Sequence, residues 1–84
     1  MKLTFTQTGW EDYVHWQTAD RTMLKRINRL IDAMLRDPFE GIGKPEQLRH
    51  TIPGAWSRRI TAEHRLVYLV ESDQIVIFQA RYHY

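Results

Sequence analysis

An α+β fold is predicted for this chain: an antiparallel sheet with two N-terminal helices packed on one of its faces. Apolar residues between positions 8 and 36 recur at helical spacing in two segments, whereas after position 54 they alternate with a period of two in three segments. The turns between those last segments are too short for parallel neighbours, so the strands pair antiparallel. Runs of helix and strand that are segregated rather than interleaved describe an α+β sandwich. With 84 residues the chain is one domain, 1–84, with room for one core.

The elements follow in order. Met1-Lys2-Leu3-Thr4-Phe5-Thr6 alternates as a strand. Thr8 followed by Glu11 fits a capping box, so a helix is expected from there, with Trp10, Tyr13, Val14 and Gln17 on one face. Thr18-Ala19-Asp20 interrupts it, and Asp20 is the expected cap of a second helix whose Leu24, Ile27, Leu30, Ile31, Met34 and Leu35 recur at helical spacing. Asp37-Pro38 ends that helix, because proline lacks an N–H and disfavours helical geometry in the residue before it. Residues 39–45 read as a loop with two glycines, leading to a short turn over Pro45 to His50. Pro53-Gly54 suits a type II turn, and Ala55 to Ile60, Arg65 to Val70 and Ile75 to Tyr84 read as strands. Strict alternation in the last puts Ile75, Ile77, Gln79, Arg81 and His83 on one side. The helices leave the other face of the sheet available to a ligand.

Composition excludes several classes of function. There is no cysteine, hence no disulfide and no thiolate nucleophile, and the four histidines lack the short paired spacings of a zinc site. No metal or cofactor is expected. No run reaches the ~18 apolar residues of a membrane span, and the amino terminus lacks the apolar region of a secretory signal, so the cytoplasm is the expected compartment. Net charge is +2, but residues 1–43, 44–65 and 66–84 carry 0, +3 and −1. The excess in the middle segment suits phosphate neutralisation, and a solvated charged hairpin accounts for it as readily.

RNA is cut without a metal when a base removes the 2′-hydroxyl proton, a cation stabilises the phosphorane and an acid protonates the departing 5′-oxygen. Carboxylate, guanidinium and imidazole suit those roles, and Glu46, Arg65 and His83 supply them. By spacing alone such a trio is not a motif. Glu46 after Pro45 equally suits the first turn of a short helix, and Arg65 near Glu63 equally suits a surface ion pair.

The blocks Gly43-Lys44-Pro45-Glu46, Trp56-Ser57-Arg58-Arg59-Ile60-Thr61, Glu63-His64-Arg65-Leu66-Val67-Tyr68 and Arg81-Tyr82-His83-Tyr84 resemble the YoeB branch of the RelE toxin superfamily, as do Trp10-Glu11-Asp12-Tyr13 and Asp37-Pro38-Phe39-Glu40-Gly41. The resemblance spans essentially the whole chain. It implies a microbial-ribonuclease-like fold, cleavage of messenger RNA in the A site of the 70S ribosome, and a homodimer. It also implies inhibition by a YefM-type antitoxin, with DNA contacted only indirectly through the antitoxin complex. It makes Glu46 the general base, Arg65 the transition-state cation and His83 the general acid. Lys44, Arg49, Arg58, Arg59 and Tyr84 become the expected RNA or ribosome contacts. Arg49-His50 stands where the family pattern has Lys-His, and Arg and Lys are not interchangeable at a phosphate.

Neighbours on a strand face opposite ways, so at most one of Arg58 and Arg59 points into a given site, and the resemblance favours Arg59. Arg59 and Arg65 share a face only if their hairpin has an odd loop of three or five residues, or a bulge. His15, His50 and His64 have no motif behind them and read as surface or packing residues; Trp10, Trp16 and Trp56 read as core, with base stacking the alternative for Trp56. The competing function is non-catalytic: a plain RNA-binding module, or a ParE-like toxin acting on gyrase, since fold alone does not decide activity.

Overall fold

The computed structural model describes residues 1–49 and 52–82. Its elements are β1 (Lys2–Phe5), α1 (Gln7–Ala19), α2 (Arg21–Arg36), β2 (Glu46–Gln47), β3 (Ala55–Arg59), β4 (Arg65–Val70) and β5 (Gln74–Gln79), with the strands in the order β1-β5-β4-β3-β2. The fold is α+β, as expected. The sheet, however, is mixed, because β1 runs parallel to β5 while every other pairing is antiparallel. Short turns dictate the sense of β3, β4 and β5. No such turn joins β1 to β5, and the two helices between them let the first strand fill β5's outer edge in parallel.

α1 starts earlier than the capping box suggests. The Thr6 hydroxyl accepts from the Gly9 N–H at 3.1 Å, while Glu11 takes the Gln7 amide instead of capping Thr8. The buried face is also rotated from the expected one, with Gly9 and Trp16 inside and Trp10 52% exposed. Gly9 decides this: a Cβ there would stand 2.2 Å from the Ile77 carbonyl oxygen, so only glycine lets the helix lie this close to β5. About two helical turns further on, Trp16 Nε1 donates to the Ala80 carbonyl at 2.8 Å, and Asp12, between them, accepts from the Ala80 N–H at 3.0 Å.

α2 follows most of its pattern, although Leu35 is exposed and Leu24 only half-buried. Asp20 Oδ1 accepts from the N–H groups of Thr22 and Met23, and Met23, Ile27, Leu30, Ile31 and Met34 are buried. They meet Ile60, Leu66, Tyr68, Ile75 and Ile77 in the main core between helices and sheet. A smaller cluster of Leu48, Ala55 and Val67, with Ile52 and Phe78, covers part of the opposite face.

Two registers position everything that follows. In the β3–β4 hairpin Arg59 pairs directly with Arg65, so the loop has the odd length that puts both on one face. Between β4 and β5, Val67 faces Gln79 and Tyr68 faces Ile77, leaving Phe78 as an extra residue in a bulge. Strict alternation therefore fails in β5: Ile77 looks into the main core, whereas Gln79 shares the face of Val67, and Ala80 is buried against the helices. Two-residue β2 replaces the expected short turn after Pro45, because Glu46 and Gln47 complete the β3 ladder opposite Ser57 and Trp56.

Candidate functional site

The face turned away from the helices carries the site. Cross-strand partners share a face, so Glu46, Ser57, Val67 and Gln79 form one row across four strands, and Arg59 and Arg65 form the next. Ser57 and Val67 are buried and make a floor. Glu46 and Arg59 are exposed, and Arg65 and Gln79 are partly so. Directly opposed residues lie about 4.5–5.5 Å apart at Cβ and diagonal ones about 7–8 Å, within reach of such long side chains. A carboxylate and two guanidiniums are thereby gathered on one surface from three strands.

Two further basic positions flank it. Lys44 is exposed with φ +51° just before β2, and with Arg26 and Arg59 it borders a cleft of about 450 Å³ floored by Leu30, Ile42 and Ile60. Arg49 is exposed just past β2.

Arg58 is a correction. It was expected among the RNA contacts, and its side chain is instead fully buried on the helix side of the sheet, opposite Leu66. Its guanidinium donates to the carbonyls of Ile42 at 3.0 Å, Asp37 at 2.6 Å and Glu40 at 2.9 Å, and its Nε donates to the Tyr68 hydroxyl at 3.1 Å. Tyr68 in turn donates to the Pro38 carbonyl at 2.6 Å. The α2 C-terminus and the loop after it are wrapped around this cation, where the negative end of the helix dipole favours it. Burial pushes the Tyr68 phenol above its ordinary value, while the hydrogen bond and charge of Arg58 act the other way. Trp56 also lies on the helix side, with its ring 5.0 Å from that of Phe39, so it does not offer a stacking surface beside Arg59 and Arg65.

The chain after β5 returns to the site. The Tyr82 carbonyl accepts from the Arg65 N–H at 3.0 Å and from Gln79 Nε2 at 3.2 Å, which brings the residue before His83 alongside the proposed cation. His83 and Tyr84 themselves, like His50, lie outside the described residues.

The profile of the YoeB-like toxins of bacterial type II toxin-antitoxin systems matches residues 5–84. A toxin YoeB of Streptomyces coelicolor is 62% identical over the full length of both chains. The chain belongs to the YoeB-like toxin family. A YoeB dimer from Staphylococcus aureus superposes with a TM-score of 0.92 at 45% identity, covering 100% of this chain and 98% of that one. A YoeB–YefM complex from the same organism gives 0.90 at 44%, with the same coverage.

Within this YoeB-like framework Glu46, Arg59 and Arg65 come together as the sequence suggested, and Arg58 does not. Sequence reasoning missed Gln79 and His64. A lone glutamine ending the apolar run Ile75 to Phe78 was a signal for the first, but its direction depends on the bulge. His64 had no signal. It is the last loop residue before Arg65, and its Nδ1 accepts from the Tyr82 N–H at 2.8 Å.

Proposed function

We propose that this toxin is a ribosome-dependent endoribonuclease that cuts messenger RNA in the A site and is neutralised by a YefM-type antitoxin. The observation that carries the reading is the direct pairing of Arg59 with Arg65 on the open face, with Glu46 diagonal to Arg59. Like charges directly opposite one another destabilise a sheet, so two facing guanidiniums suit a surface whose partner is a phosphate. Glu46 takes the 2′-hydroxyl proton, Arg65 stabilises the phosphorane with Arg59 beside it, and His83 protonates the 5′-oxygen. These three groups supply a base, a cation and an acid, so no step requires a metal ion. Lys44, Arg49 and Tyr84 hold the RNA or the ribosome. The YoeB dimer and the YoeB–YefM complex of Staphylococcus aureus support a homodimer and the antitoxin partner. No helix among the described residues is long and apolar enough to cross a membrane.

The experiment adds toxin, first stripped of metal with EDTA, to translating ribosomes and maps the RNA ends. The upstream fragment should carry a 2′,3′-cyclic phosphate and the downstream one a free 5′-hydroxyl, and a 2′-deoxy nucleotide at the cut site should abolish cleavage. Cutting of the deoxy substrate would overturn the mechanism. Intact messenger RNA combined with inhibited gyrase would favour a ParE-like activity instead.

A further inference from the structure

We propose that His64 is a positioning residue for cleavage: its Nδ1 anchors the turn of residues 80–82 and so governs how the next residue, His83, is presented. The inference rests on the reading of His83 as the acid and deepens it.

The turn does not hold itself. Tyr82 adopts φ +61°, a left-handed conformation that costs a non-glycine residue about 1–2 kcal/mol, so outside partners must maintain it. They come from two consecutive hairpin residues: His64 Nδ1 accepts from the Tyr82 N–H at 2.8 Å, and the Arg65 N–H donates to the Tyr82 carbonyl at 3.0 Å. Gln79 Nε2 adds a bond to the Arg81 carbonyl at 2.7 Å. The peptide groups on both sides of the Tyr82 Cα are thus tied to the hairpin that carries the proposed cation.

His64 is itself well held. Its carbonyl accepts from the N–H groups of Ile60 and Thr61, and its N–H donates to the Thr61 hydroxyl. Its ring meets Trp16 edge-on at 4.9 Å and Tyr82 at 5.6 Å, and Trp16 is fixed by its bond to Ala80. An imidazole that accepts at Nδ1 is neutral, with its proton on Nε2. Tyr82 is the ionisable residue whose ring meets the imidazole, and the Arg81 guanidinium lies 4.8 Å from the Tyr82 ring centre.

The test compares His64→Ala with His64→Asn. Asparagine places an amide oxygen near the position of Nδ1 and does not titrate. His64→Ala should lose on the order of 100-fold in single-turnover cleavage rate, the scale of a misplaced catalytic group, with ribosome affinity unchanged. His64→Asn should restore the rate, because its amide oxygen can accept from the Tyr82 N–H in place of Nδ1. A second readout needs no activity. In the His83→Gln toxin alone, the Tyr82 amide should be protected from exchange, and that protection should vanish in the Ala variant and return in the Asn variant. An amide indifferent to His64, or His64→Ala cleaving like wild type, overturns the anchor. A wild-type chain that leaves RNA intact overturns the proposed function instead, and the amide still decides the anchor.

Discussion

Replacing Arg58 should cost this protein a large part of its stability, whereas replacing its neighbour Arg59 should cost almost none. The Arg58 guanidinium donates to four oxygens, three of them backbone carbonyls of residues 37–42, from a fully buried position. Each buried acceptor that loses its donor costs about 1–3 kcal/mol. Asp37, Glu40 and Ile42 are themselves exposed, so water can reach some of their carbonyls once the loop loosens, and the lower end of the range applies. Arg58→Ala should therefore lose roughly 4–6 kcal/mol, against a total of about 5–15 kcal/mol for a domain. Arg58→Lys offers fewer donors without the planar fork and should lose about half as much. Urea unfolding followed by tryptophan fluorescence reads this directly: at an m value of about 1 kcal/mol/M, the Lys variant's midpoint should fall by roughly 2 M. Arg59→Ala should change stability by less than about 0.5 kcal/mol, since it removes an exposed side chain and a like-charge pairing. It should instead weaken RNA association and lower the salt slope by about one. An Arg58→Ala toxin within about 1 kcal/mol of wild type would refute this account of the buried clamp.

Glu46→Gln should slow cleavage by at least about 100-fold while leaving the unfolding midpoint in place, because the residue is exposed on a two-residue edge strand; near-wild-type rates would remove the base. Gly9→Ala, which at an open helical site would stabilise slightly, should here destabilise by about 1–3 kcal/mol, because the added Cβ meets the Ile77 carbonyl. Thermal melts decide the sign. Alkali should also destabilise the fold through Tyr68. Its pKa is raised in the native state, so the unfolded chain releases the phenolic proton first; this contribution is complete below the ordinary value of about 10 and is lost as pH rises through the higher native value. The alkaline loss should be smaller in Tyr68→Phe, measured as unfolding free energy against pH.

Local chemistry made much of the fold readable. The Asp20 cap, the apolar stripe of α2, the stop at Asp37-Pro38 and the three strands after Gly54 each rest on contacts between residues close in sequence, or on a period set by one element alone. Even a condition on the site was readable, since the parity of the Arg59–Arg65 loop follows from the pleat of a strand. The middle segment's positive charge was visible too.

What the sequence could not settle is where each of those charges points. Arg58 and Arg59 are adjacent and chemically identical, and the pleat says only that they diverge. One turned inward because carbonyls from residues 37–42, brought around the end of α2, wait on that side. The parallel pairing of β1, the rotation of α1 onto Gly9 and Trp16, the bulge at Phe78 that turns Gln79 to the open face, and the approach of Tyr82 to His64 are of the same kind. Each depends on atoms at least nine residues apart meeting in space, and no period or propensity within a single segment encodes such a meeting.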